Sequence, residues 1–327
     1  MTVIRSKVGI GAIVTEAGER SWTTPEQFHL LLDNIEEDGR LSYIDSAEAY
    51  VNSEAEIGKW LGKDSTRRKR FCIGTKFSAR YNPKIAEKLV PFTREMIIER
   101  FSKSLQSLRC DDLDVYWLHA PHESYHDWDP IVEAFVDLHS RRLIRAAGVC
   151  NIYDKTELMR LVQTCKRMGY SGAIYLQNEF HLIYADQYLD LMKESKRLGL
   201  INVAFSPSCA GVLSGKYTYF DAPSKENLPE NSRMWAWSKR LPQPFWSKKV
   251  FEAIDEFQKF AETLKVEPFT LAVAYVLTHP FIDHVLIGPK NCGQLPANLD
   301  ALNLHLTNEQ RLVLEQLFAG KANSITG

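Results

Sequence analysis

The chain has 327 residues, and its 45% hydrophobic and 25% charged residues are an ordinary composition for a globular protein. Its formal net charge of −1 at pH 7 gives no electrostatic basis for binding nucleic acid or an anionic membrane surface. The length suits either one large α/β barrel or two domains of ordinary size.

The six cysteines are scattered along the chain and form no C-x-x-C pair. This spacing argues against a disulfide framework or a zinc site, and it favours a reducing compartment. The apolar run within residues 1–14 is too short for a secretory signal, and no apolar stretch of about 18 residues occurs elsewhere. We therefore expect a cytoplasmic protein with no metal site and no membrane partner.

Strand-like and helix-like segments alternate along the chain. The strand-like runs are, in order, KVGIGAIV, LSYID, FCIGTK, LDVYWL, AAGV, AIYLQ, INVAFS and DHVLIG. The helix-like runs are 24–37, the segment after Ser53, 93–108, 130–140, 155–168, 186–198, 249–264, 270–278 and 307–318. Eight such β/α units without a linker predict a single (β/α)8 TIM barrel domain over residues 1–327, with extra helices near its end.

Two helix starts carry local signals. Pro25 is suited to the first position of the first helix, because its missing N–H would be unpaired there anyway. Asn52 or Ser53 can cap the second helix, and Glu56, three residues after Ser53, would complete a capping box.

Residues 206–248 interrupt the alternation with a long segment that lacks clear periodicity. This segment is rich in aromatic residues, namely Tyr217, Tyr219, Phe220, Trp235, Trp237, Phe245 and Trp246. So long a connection is usually functional or disordered, and its aromatic content does not suit disorder. We predict a long aromatic loop after the seventh strand that forms a lid or pocket wall, in which Arg233, Lys239 or Arg240 could hold a carboxylated substrate.

Four chemically complementary groups follow the ends of strand-like runs: Asp45, Tyr50, Lys76 and His119. The carboxyl ends of strands are where chemistry collects in parallel α/β folds. A phenol with an unperturbed pKa near ~10 needs a nearby cation to act as a proton donor near neutrality. Lys76 could be that cation, Asp45 could hold Lys76, and His119 could orient a carbonyl oxygen.

The sequence does not match the common motifs for dinucleotide, phosphate or metal binding. VGIGAIV has two glycines of a dinucleotide fingerprint but lacks the third, and nothing matches a phosphate-binding P-loop. His119 and His122 lack a third ligand, so they are weak evidence for a metal.

Several motifs in a fixed order resemble those of the aldo-keto reductase superfamily. They are D-S-A-x-x-Y-x-x-x-x-x-I-G, G-T-K, Y-x-L-H-x-P, GVCN, LQNEF, AFSPSCAGVLSGKY and GPKNCGQLPANLDAL. The SGKY tract, with RMWAW and PFW after it, is most similar to the aflatoxin-aldehyde and succinic-semialdehyde reductase branch.

The resemblance implies reversible hydride transfer between NADP(H) and a small-molecule aldehyde or ketone. In that reaction Tyr50 would be the general acid, tuned by Lys76 and Asp45, and His119 would polarise the carbonyl. Lys290 would contact the 2′-phosphate of NADPH. The implied cofactor contacts are Asn151, Gln177, Phe205, Ser206, Gly211, Leu213, Gly215, Gly288, Lys290, Gln294 and Asn298.

Two departures from the family pattern bear on the cofactor site. Cys150 stands where serine is usual, and Lys290 stands where many relatives have arginine.

Two other functions remain open at this point. A non-catalytic or weakly catalytic relative could bind the nucleotide as a sensor or as a channel or partner subunit. A barrel hydrolase could use Glu179 and Asp45 as paired carboxylates, although Tyr50 and Lys76 would then have no role. The sequence does not specify the physiological substrate, the direction of the reaction or the oligomeric state.

Overall fold

The computed structural model describes residues 2–13, 23–78, 92–120, 127–236, 238–241 and 243–323. Eight parallel strands pair in chain order, and β8 pairs with β1, so the sheet closes into a barrel. The strands are β1 (Val8–Gly11), β2 (Tyr43–Asp45), β3 (Cys72–Phe77), β4 (Leu113–Leu118), β5 (Ile144–Cys150), β6 (Ala173–Glu179), β7 (Ile201–Phe205) and β8 (His284–Ile287). The predicted (β/α)8 fold is confirmed.

Helices surround this barrel and lie close to their predicted positions. They are α1 (Pro25–Asp38), α2 (Ser53–Leu61), α3 (Arg67–Arg70), α4 (Arg94–Leu108), α5 (Asp129–Ser140), α6 (Lys155–Arg167), α7 (Ala185–Arg197), α8 (Arg233–Ala236), α9 (Lys248–Leu264), α10 (Pro268–Leu277), α11 (Leu295–Asp300) and α12 (Asn308–Phe318). Both α9 and α10 lie between β7 and β8, so one of them is extra to the simple repeat. The last helix packs on α9, where Phe318 meets Phe257 with ring centroids 6.2 Å apart.

The two predicted helix starts have different outcomes. Pro25 is the first residue of α1, and Thr24 caps that helix in a reciprocal pair with Gln27. The capping box predicted for Ser53 and Glu56 is wrong. Asn52 occupies the cap position and makes no side-chain capping bond. Ser53 is the first residue of the helix, and its hydroxyl donates to the carbonyl of Tyr50 at 2.7 Å. Glu56 pairs with His29 and Lys59.

Large side chains fill the barrel interior. Tyr43, Trp117 and Tyr175 are completely buried there, together with small apolar residues from the other strands. The Tyr175 hydroxyl accepts hydrogen bonds from the backbone N–H groups of Val3 and Ile4, at 2.8 and 3.2 Å, and so joins the N-terminal segment to the barrel. As far as the described residues show, the barrel interior is therefore a packed core rather than a pore.

The described residues of the segment between β7 and α9 form short helical turns and no longer helix or strand. Its aromatic side chains pack against the protein: Trp246 contacts Phe251 of α9 with ring centroids 4.8 Å apart, and Tyr217 lies 6.2 Å from Trp246. Trp237 and the side chain of Arg240 lie outside the described residues.

In the part of the chain that the structure describes, no helix combines the length and apolarity needed to cross a membrane. The same residues contain no group of three or more His, Cys, Asp or Glu side chains arranged to hold a metal ion.

Candidate active site

A cavity of about 590 Å³ opens at the carboxyl ends of the strands. Most of the residues predicted from the sequence line it, namely Asp45, Tyr50, His119, Asn151, Gln177, Phe205, Ser206, Gly211, Gly288, Lys290, Gln294 and Asn298. Three predicted residues do not line it. Lys76 lies buried behind the wall, and Leu213 is fully buried in the core. Gly215 packs against the Gln258 side chain so closely that a Cβ there would collide with it. The fold thus brings the predicted residues to one place from six strands and the loops after them.

Lys76 and Asp45 form a buried ion pair on adjacent strands. Lys76 follows Thr75 in β3, Asp45 ends β2, and their side chains are 1% and 3% exposed. The Lys76 ammonium also donates to the carbonyl of Ser46 at 2.8 Å. Burial alone would lower the pKa of Lys76, but Asp45, with smaller contributions from Tyr50 and Cys150, outweighs burial and raises the pKa. The site therefore contains a permanent ammonium ion in the barrel wall.

Tyr50 lies directly above this pair. Its hydroxyl is 3.4 Å from Nε2 of His119, and its ring centroid is 5.3 Å from the Lys76 Nζ. Burial raises the pKa of Tyr50, and Lys76 opposes that rise because its positive charge stabilises the phenolate. Tyr50 consequently stays protonated at neutral pH beside a cation that would stabilise its anion.

The loop that carries Tyr50 is anchored by two residues that the sequence reasoning did not single out. The Glu48 N–H donates to the carbonyl of Lys76 at 3.0 Å, and the Glu48 carboxylate accepts from the N–H of Ser78 at 2.8 Å. Arg100 of α4 binds both the Glu48 carboxylate and the carbonyl of Ser78. These contacts fix the loop after β2 to the end of β3, and hence Tyr50 to Lys76.

His119 is a neutral imidazole in this site. Burial and the nearby Lys76 charge lower its pKa to about 3. Its backbone is also held, because its N–H donates to the carbonyl of Phe77 at 2.8 Å and its own carbonyl accepts from the Asn151 side chain at 2.8 Å. An uncharged ring can donate an N–H to a carbonyl oxygen that also reaches the Tyr50 hydroxyl.

Two buried amide side chains on the cavity wall have atoms without a hydrogen-bond partner among the described residues. They are Nε2 of Gln177, a donor on β6, and Oδ1 of Asn298, an acceptor on α11. The Asn298 Nδ2 is satisfied by the carbonyl of Gln294 at 2.6 Å. Buried polar atoms are usually paired, so both atoms are suited to contact a polar ligand.

Among the described residues that line the cavity, three are cationic: Lys216, Arg233 and Lys290. Burial and mutual repulsion lower the pKa of Lys290 to about 8 and lower that of Lys216. Burial lowers the pKa of Arg233 to about 10. Such a cluster suits an anionic ligand, because an anion relieves the repulsion between the cations. Lys216 belongs to the SGKY tract, but its role was not recognised from the sequence.

The segment after β7 contributes to the cavity differently from the prediction. Among its described residues, none of the predicted aromatic side chains is on the cavity wall. The lining residues are Ser206, Pro207, Ser208, Ala210, Gly211, Ser214, Lys216 and Arg233. The aromatic rings support this wall from behind, and small and cationic residues form its surface.

Comparison with known proteins agrees with this architecture. Residues 7–317 match the model of the aldo/keto reductase family. The chain is 26% identical to Protein tas of Escherichia coli (strain K12), over 93% of this chain and 91% of that protein. It is also 26% identical to aflatoxin B1 aldehyde reductase member 2 of Rattus norvegicus, over 80% of this chain and 71% of that protein. The chain belongs to the aldo/keto reductase family, whose activity is oxidoreduction of aldehydes and ketones.

Proposed function

We propose that this protein reduces an aldehyde or ketone with NADPH and that Tyr50 is the general acid. The observation that carries the proposal is the position of the Tyr50 hydroxyl, 3.4 Å from a neutral His119 and above a buried ammonium ion. This arrangement provides a proton donor, a carbonyl-orienting group and a fixed positive charge at one wall of a cavity.

The remaining lining residues fit a nicotinamide cofactor. The unpaired Nε2 of Gln177 and the neighbouring Asn151 suit the carboxamide of the nicotinamide, and Phe205 offers an aromatic face for its ring. The cationic lining residues Lys290, Lys216 and Arg233 suit phosphate groups. Lys290 is the residue that we assign to the 2′-phosphate, so the preferred cofactor is NADPH. When bound, NADPH supplies the hydride for the carbonyl carbon.

The protein's own contribution is to move one proton and to hold the carbonyl. Tyr50 donates its proton to the carbonyl oxygen as negative charge develops there, and the nearby Lys76 ammonium stabilises the phenolate that results. A neutral His119 donates a hydrogen bond to the same oxygen and thereby fixes its position between two donors. In the oxidative direction the same groups act in reverse order.

The hydrolase alternative requires Asp45 as one of two active carboxylates. Both oxygens of Asp45 are engaged in the buried interior, one by Tyr43 and the other by Lys76. A carboxylate held in this way is not placed to act on a glycosidic bond, so the second candidate function is only the non-catalytic one. The non-catalytic function is supported by the cavity itself, because its lining residues would bind the nucleotide whether or not turnover followed.

We also propose that the chain is a single domain working on small molecules in a reducing compartment such as the cytoplasm. All six cysteines are free thiols, which is consistent with such a compartment.

The test is NADPH oxidation over a panel of aldehydes and ketones, in parallel with NADPH binding measured by titration. The panel includes bulky aromatic aldehydes, since one relative is named for an aflatoxin aldehyde. We expect turnover with several members, and turnover lower by about 100-fold or more in a Tyr50→Phe variant that still binds NADPH. Tight NADPH binding without turnover on any member would favour the non-catalytic function instead.

A further inference from the structure

Tyr43 is a completely buried tyrosine inside the barrel, directly below the catalytic centre. It lies two residues before Asp45 in β2, so both side chains point to the same face of the strand. Its hydroxyl donates a hydrogen bond of 2.6 Å to Oδ1 of Asp45. Neither the motif reasoning nor the proposed chemistry gives this tyrosine a role.

The neighbouring strands leave room for this ring and fix its position. A Cβ on Gly9 of β1 would lie 2.6 Å from a ring carbon of Tyr43, and a Cβ on Gly74 of β3 would lie 2.6 Å from its hydroxyl oxygen. Real Cβ atoms do not approach so closely, so only glycine fits on either side. The ring is therefore confined between two strands, and its hydroxyl has little freedom to leave Asp45.

The two oxygens of Asp45 have separate partners. Oδ1 accepts from Tyr43, and Oδ2 binds the ammonium of Lys76, which in turn lies next to Tyr50. We propose that Tyr43 is a positioning residue of the catalytic centre, whose hydroxyl holds Asp45 in the orientation in which it binds Lys76 beneath Tyr50. This inference rests on the proposed function, because it concerns the same proton donor.

Two consequences follow for the charges of the site. Burial and the neighbouring Asp45 raise the pKa of Tyr43 well above its usual value, so Tyr43 is a donor at every pH at which the protein works. Its hydrogen bond spreads the negative charge of Asp45, and that charge raises the pKa of Tyr50. Removing the Tyr43 hydroxyl concentrates the charge on Asp45 and should raise the pKa of Tyr50 further.

Four other ionisable groups near Tyr50 are not among the groups that shift the pKa of Tyr43. They are Lys76 on β3, His119 at the end of β4, Cys150 on β5 and Arg233 on α8. Near Tyr43 itself the ionisable neighbours are Asp45 and Cys72. The response to a Tyr43 substitution therefore passes through Asp45.

The experiment compares Tyr43→Phe with Tyr175→Phe as a matched control. Both changes remove one buried hydroxyl and its hydrogen bonds from the barrel interior, but the partners that the described residues offer Tyr175 are the uncharged backbone N–H groups of residues 3 and 4. For Tyr43→Phe we expect the alkaline limb of the pH profile of kcat for reduction to move up by about one unit. At neutral pH kcat should fall by up to about tenfold with little change in KM, because Tyr50 becomes a weaker acid. Tyr175→Phe should retain the wild-type profile.

A second readout does not depend on activity. The ionisation of Tyr50 is followed by the ultraviolet absorption of phenolate, as the difference between each protein and the same protein carrying Tyr50→Phe. We expect the Tyr50 titration to shift upward in Tyr43→Phe and to stay unchanged in Tyr175→Phe.

Identical Tyr50 titrations in wild type and Tyr43→Phe would overturn the positioning role, as would equal shifts in both variants. Absence of turnover in the wild type would contradict the proposed function but leave this titration decisive for Tyr43.

Discussion

The Lys76 ammonium and the Asp45 carboxylate face each other across two adjacent strands in a space closed to solvent. Each charge compensates the other, so neither group can be removed without leaving an isolated charge in the barrel wall. Isolated buried charges are far more costly than exposed ones. Stability and chemistry therefore depend on the same pair.

Removing Lys76 alone should destabilise the fold strongly. Lys76→Met leaves Asp45 as an unpaired buried anion, and breaking such a pair typically costs about 3–5 kcal/mol. The double variant Asp45→Asn/Lys76→Met removes both charges and should recover much of the loss. Urea unfolding of the wild type, each single variant and the double variant measures this. Additive losses in the double variant would show that the two groups are not coupled in the folded state.

Tyr50→Phe should remove most of the turnover while leaving NADPH affinity nearly unchanged. Loss of a positioned general acid typically costs ~10²–10⁴-fold in rate. The hydroxyl is the only group lost, and phenylalanine can retain the edge-to-face contact between this ring and the His119 ring. Steady-state kinetics with an active aldehyde, together with NADPH titration, measures both quantities. Turnover within about twofold of the wild type would contradict the role of Tyr50 as the acid.

NADPH affinity should depend on pH through Lys290. Its pKa is lowered to about 8, so the free protein loses this positive charge as pH rises through 8. Binding of the 2′-phosphate favours the charged form, and we therefore expect proton uptake on NADPH binding near pH 8 and weaker NADPH binding above it. Calorimetry in buffers of different ionisation enthalpy measures the uptake.

Two variants test this assignment. Lys290→Met should weaken NADPH binding and leave NADH binding nearly unaffected, whereas Lys290→Arg should retain the affinity and abolish the pH dependence, since arginine stays charged. The wild-type preference for NADPH should also shrink as salt concentration rises. Equal losses of NADPH and NADH affinity in Lys290→Met would mean that this lysine only supports the loop.

Acidification should destabilise the fold through a histidine remote from the cavity. Burial lowers the pKa of His279 to about 4 from an ordinary value of 6.5, so between these two pH values only the unfolded chain binds the proton. The free energy of unfolding contributed by this group is complete above pH 6.5 and is lost as pH falls toward 4. Replacing His279 by Gln should flatten the pH dependence of stability in that range. Urea midpoints measured from pH 7 to pH 4 are the readout, with the surface change His305→Gln as the control. An unchanged slope in His279→Gln would refute this prediction.

The positions of Asp45, Tyr50, Lys76 and His119 could be predicted because each lies at or just beyond the carboxyl end of a strand in a regular alternation. Parallel strands bring their carboxyl ends to one face, so residues far apart in the chain meet there without further information. The same reasoning could not identify Glu48 and Arg100. Their importance depends on a specific contact between the loop after β2 and helix α4, which no short-range pattern encodes.

The misjudged details have local physical causes. Ser53 and Glu56 match a capping box, but Ser53 is already the first residue of α2, and the N–H of Glu56 donates to the carbonyl of Asn52 rather than to the Ser53 hydroxyl. The aromatic residues of 206–248 indicated an apolar pocket wall, whereas rings such as Trp246 gain more by packing on α9. Tyr43 resembled an ordinary strand residue, because its hydrogen bond to Asp45 becomes visible only when the barrel interior is known.

Closure of the barrel has a consequence for how the protein folds. The seam pairs Val8 with Val285, two residues separated by most of the chain. Until β8 arrives, β1 has an unpaired edge, and the mouth of the half-built barrel lacks the wall that β8 later supplies. Pairings over such long sequence separations slow folding, and they prolong the lifetime of aggregation-prone intermediates with exposed apolar surface. We therefore expect the halves of the cavity to come together in a late step of folding, and substitutions along the β1–β8 seam to affect the yield of folded protein before they affect its chemistry.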